Sequence, residues 1–566
     1  MSEYAALLEL PMTELERTTI NALVEHGSQN AAADALGWKR TKVQSRLRSV
    51  QARARAAAAV RPADPAVRVD GHVQVKAANV PARAPDATAA RYILTAAQNN
   101  THVHAGFLTN LEAYAAHIGA EILVARFSYN KAAYGAASTK AGRAPGAADT
   151  GLWYDPALAA YVCDDPERHG SCRWELAPGP EGLLWCAEMN ILPTAVHPLS
   201  GLESYSGAAS AVFPHAKIAL ESVPVIGNRA PKMLYTTGAV TLRNYIAKKE
   251  GLKAEFHHQF GALLVEVDLV TGDWWARQLN ADDGGTFHDL RNKVEDGTVT
   301  DQPVLAISWG DVHAAEIDPK VRACNWGHSA GRAVIDALRP KHQFWHDTFS
   351  MRSRSHHEQK SFASRAAKYY EGKAADLVED EIAATATLMG IAHRDWCEMI
   401  VVSSNHDRHL ERWLDEADYK DDLPNAEFFL EMQLARVRAL RVGGGEEWNA
   451  LEWALGRAGP PAARFLGRDA SFRIGPPGHE IECGTHGDEG PDGARGNTSN
   501  LGKLSVRITK GHDHRATIRH GVFSAGVCNR RLPYAHGPSS WSVSHVVTYV
   551  SGKRAIVTMR AGKCWL

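Results

Sequence analysis

The 566-residue chain lacks a surplus of either charge, with 63 lysines and arginines against 64 acidic residues. That balance excludes a uniformly basic nucleic-acid coat and leaves phosphate recognition to local patches. The chain also lacks any apolar run near the roughly 20 residues of a membrane helix, so no membrane span is expected. Cysteine is scarce: eight residues dispersed along the chain do not build a disulfide framework. A reducing cytoplasmic setting is therefore expected, and MSEYAALLEL lacks the basic n-region of a secretory signal. Phenylalanine (14) and tyrosine (15) are each outnumbered by histidine, which is present in 27 copies, 16 of them after residue 300. With 45% apolar and 22% charged residues the chain can bury substantial cores. Its length suits about three to four domains of roughly 150 residues.

Residues 1–60 read as a helix-turn-helix module. Apolar residues recur at helical spacing from Leu10 to Val24, Ser28 can cap a short helix that stops at Gly37, and a third helix starts near Lys39. This third helix carries Lys39, Arg40, Lys42, Arg46 and Arg48 with no acidic residue, a pattern suited to a DNA groove or backbone. A three-helix protein-interaction bundle with a solvated basic face is the alternative. Residues 61–90 are Ala-, Pro- and Arg-rich and read as a linker, with VRVDGHVQV a hairpin within it. Residues 91–300 read as a mixed α/β domain of unknown role that opens with a βαβ unit (YILTAAQ, a helix through LEAYAAHIG, AEILVARF). Cys163, His169, Cys172 and Cys186 are close enough for a zinc knuckle, but without a paired C-x-x-C buried thiols are the stronger reading. His257 and His258 are expected at solvent or a domain seam.

Residues 301–566 carry the chemistry. VLAISWGDVH is an apolar strand ending in Asp311 and His313, an i, i+2 pair that a strand end directs to one side. A helical segment leads to HQFWHD, which ends at Asp347, and a long helical region over about 360–392 leads to EMIVVSSNHD, which ends at Asn405-His406-Asp407. Two further strand-end clusters supply His486 (HEIECGTHGDEG) and the pair His512 and His514 (KLSVRITKGHDH). Together these positions offer two Asp, one Asn and four His. That mixture suits Mn²⁺, Fe or Zn better than a purely oxygen cage for Mg²⁺ or Ca²⁺. Seven ligands with one bridging carboxylate give four to each of two ions.

This ordered set (D-x-H, then H-D, N-H-D, H and G-H-D-H) resembles the calcineurin-like metallophosphoesterase superfamily over about residues 300–530. The resemblance implies an α/β catalytic domain built as a mixed β-sandwich flanked by helices, with two divalent ions, Mn²⁺ first and Fe, Zn or Mg as alternatives. It assigns Asp311, His313, Asp347 and His514 to one ion, and Asp347, Asn405, His486 and His512 to the other. Two departures are present: His346 and Ser404 stand where the family pattern has glycine, which points to tighter loops. The whole chain is also similar to DNA-transfer proteins of tailed bacteriophages associated with host-DNA degradation. The segments that carry this are WCAEMNILPTAVHPLSGLESY, FHHQFGALLVEVD and SSWSVSHVVTYVSGKRAIV.

That resemblance implies a metal-dependent DNA nuclease acting in the cytoplasm of an infected host. Two ions roughly 3.5–4 Å apart would activate water and clamp a DNA phosphodiester. His406 would protonate the leaving oxygen or stabilise developing charge, with Asp407 orienting its ring. Arg352, Arg354, His356 and His357 in a basic loop, and Arg408 beside Asn405, could contact substrate phosphates. The rival readings are a phosphomonoesterase or small-nucleotide phosphodiesterase on the same metal core, and a non-catalytic DNA-binding phage protein. The expected partner is DNA, with a second copy of the chain as a further candidate.

Overall fold

The computed structural model describes residues 4–9, 14–44, 46–47, 50–51, 88–129, 153–162, 173–227, 229–327, 333–355, 362–373, 376–443, 448–459, 462–529, 532 and 536–564. The chain divides into two compact units, one made of residues up to Val223 with Lys232–Gln302, the other of Pro224–Pro231 with Pro303–Cys564. Both mix helices with mixed sheets, and no sheet among the described residues closes into a barrel.

In the first unit, helices Glu14–His26 and Gln29–Ala35 are joined by a turn in which the Ser28 hydroxyl accepts the Ala31 N–H at 3.2 Å. Gly37, at φ 63°, ends the second helix, and helical backbone resumes at residue 40. Ile20, Leu23, Ala32, Ala33, Val43 and Leu47 form their shared core.

The globular part of this unit begins with strands β1 (Ala89–Gln98) and β2 (Glu121–Phe127), which pair in parallel around the Ala105–Ile118 helix. The expected βαβ unit is thus present. Strands β3 (Arg173–Ala177), β4 (Leu183–Cys186), β5 (Ser210–Phe213), β6 (Leu220–Val223) and β7 (Lys232–Thr236) lie in the order β6-β7-β5-β4-β3. Strands β8 (Gly261–Asp268) and β9 (Trp274–Asn280) extend the first pair into a sheet ordered β2-β1-β8-β9. A meander of β10 (Phe287–Asp289), β11 (Asn292–Glu295) and β12 (Thr298–Asp301) forms a separate three-stranded sheet.

A buried polar network lies inside this apolar setting. Arg91 donates to Glu266 at 2.9 Å, and Arg277 donates to Glu266 at 2.5 Å and to Asp289 at 2.7 Å. Tyr114 closes it by donating to Asp289 at 2.5 Å. Two cations meet two anions, so the charges cancel where water cannot reach them. His258 is also buried here, between Tyr245 Oη at 2.8 Å and Thr241 O at 3.1 Å. It therefore does not face solvent as its place before an apolar strand suggested.

The second unit holds a sheet of β13 (Ala306–Ser308), β14 (His342–Trp345), β15 (Glu398–Val402), β16 (Arg464–Leu466), β22 (Ser544–Thr548) and β23 (Arg554–Thr558), ordered β16-β15-β14-β13-β22-β23. The first four run parallel, so their carboxyl ends share one edge. The strands β17 (Arg473–Ile474), β18 (Ile481–Glu482), β19 (Arg507–Lys510), β20 (Thr517–Arg519) and β21 (Val522–Ser524) follow the order β17-β18-β19-β21-β20. Ala306, Phe344, Ile400 and Val402 of the first set share one apolar cluster with Ile474, Ile481 and Cys483 of the second. The long helix expected over 360–392 is instead two helices, Phe362–Tyr370 and Val378–Ala392. Gly372, at φ 73°, adopts the left-handed backbone that ends the first. Among the described residues, no helix is long and apolar enough to cross a membrane.

Candidate metal centre

Strand register brings the polar clusters to one place. Ser308 pairs with Phe344 and Phe344 with Ile400. Asp311 and Asp347 therefore each emerge three residues beyond aligned positions, with Asn405 on the next strand's loop. In the other set of strands Glu482 pairs with Ile508, and His486 and His512 each follow four residues later. Main-chain hydrogen bonds join these loops: Val312 N–H to His346 O (2.9 Å), His313 N–H to Asp347 O (2.7 Å), Asp311 N–H to Gly526 O (2.9 Å) and Gly511 N–H to His486 O (3.1 Å).

The backbone there is strained. His313 (φ 46°), Asp347 (φ 44°), His512 (φ 72°) and His514 (φ 54°) all occupy the left-handed region. Each such residue without glycine's freedom costs on the order of 1–2 kcal/mol, and strain of this kind gathers at functional sites. Gly511 has no room for a side chain, since a Cβ there would lie 2.2 Å from Asp311 Oδ1. The two departures from the family pattern have separate roles. Ser404 Oγ accepts the Asp407 N–H at 3.1 Å and so closes its turn, whereas His346 is buried against the Gly511 position and neither ring nitrogen has a hydrogen-bond partner among the described residues.

Asp347 sits at the middle of the cluster. Its Oδ2 is 3.5 Å from His313 Nε2 and 3.6 Å from His514 Nε2, and its Oδ1 is 3.3 Å from His486 Nε2. His514 Nε2 is also 3.2 Å from Asp311 Oδ2 and 3.3 Å from His313 Nε2, while His486 Nε2 is 3.1 Å from Asn405 Oδ1. Two groupings have ligand atoms within 4.8 Å of one another: His313, Asp347 and His514, and Asp311, Asp347 and His486. Asp347 belongs to both, and Asp311 reaches into each half. The His512 ring lies 5.2 Å from that of His486, at the wall of an open cavity of about 410 Å³ over the cluster.

These residues fit divalent ions. The four carboxylate oxygens of Asp311 and Asp347 are buried without hydrogen-bond partners among the described residues, a heavy cost for anions unless a cation satisfies them. Ligand atoms that share an ion at about 2.0–2.2 Å stand roughly 3–3.5 Å apart, close to the separations seen here. His313 Nε2 and His514 Nε2, 3.3 Å apart, are likewise close enough to share one ion when both nitrogens are unprotonated.

Burial, then the neighbouring Asp347, pushes the Asp311 carboxyl well up. Burial would also raise Asp347, but His486, His406, His514 and His313 act together against it and hold that carboxyl well below the usual range. Burial lowers His313, His486 and His512, keeping the imidazoles in the neutral form that ligates metal.

His406 is half-buried at the cavity wall, its ring 4.7 Å from that of His313 and 4.8 Å from that of His409. Asp407 is not directed at the His406 ring. Its Oδ1 accepts the Phe349 N–H at 2.8 Å, so it anchors the loop that carries Asp347. Burial, then Asp347, raises the Asp407 carboxyl to about 8.

The expected substrate contacts are dispersed. Arg354 donates to Asp422 at 2.6 and 2.7 Å with its side chain 9% exposed, so its guanidinium is committed within the fold. Arg352 lies 3.7 Å from Glu316, and Arg408 lies 3.6 Å from Glu411 and 3.9 Å from Glu489. Lys39 is exposed and Lys42 lies 3.8 Å over the Trp38 ring. Arg40 is half-buried, while Arg46 is buried beside Trp38. Arg48, His356 and His357 lie outside the described residues, as do Cys163, His169 and Cys172. Cys186 is fully buried, which pushes its thiol up to about 12.

Arg495, Arg515 and Trp541 are among the cavity-lining residues that escaped the motif reading. Arg515 directly follows His514, a signal that was available; Arg495 and Trp541 sit in segments without chemical spacing.

No protein-family model matches the chain. It is similar to Protein A1 of Escherichia phage T5, at 37% identity over 484 residues that cover 84% of this chain and 82% of that protein. Identity of that extent shows that this chain belongs to the phage family of Protein A1.

Proposed function

We propose that this chain is a metal-dependent phosphodiesterase of the metallophosphoesterase type, acting on DNA in the infected host cytoplasm. The observation that carries the reading is the buried Asp311–Asp347 pair, its oxygens without hydrogen-bond partners among the described residues and ringed by the imidazoles of His313, His486 and His514. Asp311, His313, Asp347 and His514 would hold one divalent ion, and Asp347, Asn405, His486 and His512 a second. When bound, such ions, Mn²⁺ being the first choice, supply Lewis-acid chemistry that activates water and offsets phosphate charge.

The remaining work falls to the chain itself. The joined strand ends fix the ligands before substrate arrives, so little reorganisation is needed. His406 stands at the cavity wall beside His313, where an imidazole can pass a proton to a departing oxygen. Asp407 holds the Asp347 loop through Phe349. Lys39 and Lys42 of the N-terminal helical module provide a place for duplex phosphates to rest, and kinship with a phage protein is in keeping with a role on DNA.

The test is Mn²⁺-dependent cleavage of single-stranded DNA and of plasmid DNA by wild type, Asp347→Ala and His512→Ala. Both variants are expected to fall to the background seen with chelator. Wild-type rates in either variant would overturn the reading.

A further inference from the structure

The cavity over the ligand cluster has walls that the metal chemistry does not use. Arg495, Arg515 and Trp541 line it together with Asp347, His406 and His512. The Trp541 and His514 rings meet in a T-shaped pair, with centres 4.3 Å apart at 82°. The local acids are already neutralised. Asp513 takes an ion pair from Lys510 at 3.0 Å and a hydrogen bond from Thr498 at 3.1 Å, and Glu489 meets Arg468 at 2.9 Å. Arg495 and Arg515 line the cavity without an ion pair to any described residue, and Arg515 adds its charge to that of Lys510 beside Asp513.

The floor sets a further constraint. Asp347 is 0% exposed, so a phosphodiester reaching the cluster must descend into the cavity. At about 410 Å³ the cavity is in the lower part of the range of small-ligand pockets, roughly 300–1,000 Å³. A duplex holds its bases stacked inside a cylinder, and a recess of that size takes in a phosphate with at most its own nucleotide, not the cylinder. One nucleotide taken out of the stack can enter it. Guanidiniums grip phosphate oxygens in pairs, and an indole accepts any base on its face.

We infer that Arg495, Arg515 and Trp541 form a subsite for one unpaired nucleotide beside the metal cluster, so that the strand being cut is single-stranded at the point of cleavage. This deepens the phosphodiesterase reading and rests on it. The substrate class would be frayed ends, gaps and unwound stretches of DNA rather than intact duplex.

The test compares wild type, Trp541→Ala, Trp541→Phe and the double variant Arg495→Ala/Arg515→Ala, each first shown to melt at the wild-type temperature. Fluorescence anisotropy in chelator measures binding of a labelled oligothymidine strand and of a duplex of equal length. For the single strand, Trp541→Ala and the arginine double variant are expected to raise Kd about 10-fold, with Trp541→Phe restoring most of the loss. Duplex affinity is expected to stay within twofold. In Mn²⁺, wild type is expected to cut the single strand faster than the duplex. Unchanged single-strand binding in the variants, an equal loss on both probes, or faster duplex cleavage would overturn the subsite. Failure of wild type to hydrolyse bis(p-nitrophenyl) phosphate would instead overturn the phosphodiesterase reading, while anisotropy would still decide whether the nucleotide subsite exists.

Discussion

Replacing Gly511 with alanine adds one methyl group to the tightest point of the metal centre. The new Cβ would lie 2.2 Å from Asp311 Oδ1 and 2.9 Å from both Cβ and Cγ of His346. Gly511 does not sit in the left-handed region, so the effect is one of contact, not of backbone preference. His346 is fully buried and cannot swing away. The Asp311 backbone is held by its N–H to Gly526 and its carbonyl to Cys528. The Asp311 carboxylate must therefore withdraw by about 1.3 Å to reach an ordinary contact near 3.5 Å. Disturbance around a metal ligand costs about 10- to 100-fold in affinity, and a misplacement of this size lowers turnover by up to about 100-fold. If the fold moves instead, overpacking costs about 1–3 kcal/mol of stability. Calorimetric titration with Mn²⁺, hydrolysis of bis(p-nitrophenyl) phosphate and thermal melting separate these outcomes. Gly390→Ala is the control: it lies in the Val378–Ala392 helix with open space around it, so it should stabilise the chain by up to about 1 kcal/mol. Wild-type metal affinity, turnover and melting in Gly511→Ala would refute the reasoning.

Arg277→Ala takes the cation from the buried Asp289 and leaves Glu266 with Arg91, and is expected to cost about 3–5 kcal/mol in urea denaturation; a loss under 1 kcal/mol would mean the network is not a structural keystone. His545 accepts the Gly310 N–H at Nδ1 and faces Asn325 Oδ1 through Nε2, so the fold requires the neutral ring, and burial lowers its pKa from 6.5 to about 3. The unfolded chain then binds the extra proton first: this contribution is intact above pH 6.5 and is lost progressively as pH falls toward 3. His545→Gln should flatten the fall in stability between pH 7 and 5; an unchanged slope would contradict the assignment. Lys39→Ala/Lys42→Ala should weaken duplex binding evenly across sequences and reduce the salt slope by about 1–2, measured by anisotropy against NaCl concentration; an unaltered slope would point the helical module toward a protein partner.

The parallel strands and their polar ends were legible in the sequence because short-range chemistry writes them. An apolar run of strand length ends in a ligand-type residue at Asp311, Asp347 and Asn405 in turn, and β13, β14 and β15 are those runs. The Ser28 cap and the β1–β2 crossover were legible for the same reason. Interactions that depend on distant partners were not. Arg91 and Glu266 are 175 residues apart, and no local pattern marks them as a buried pair. Arg354 looked like a phosphate contact because its partner Asp422 lies 68 residues away. Asp407 was expected to serve its neighbour His406, yet folding carries Phe349 to it instead. Left-handed backbone at His313, Asp347, His512 and His514 could not be read either, because these loops are forced into it by strands on both sides.

The most direct measurement is a titration of metal-stripped protein with Mn²⁺ while cleavage of a single-stranded DNA is followed. The cluster of Asp311, His313, Asp347, Asn405, His486, His512 and His514 predicts no cleavage in chelator, full rate only as the second equivalent binds, and no recovery in Asp347→Ala. Full activity without added metal, or recovery in Asp347→Ala, would contradict it.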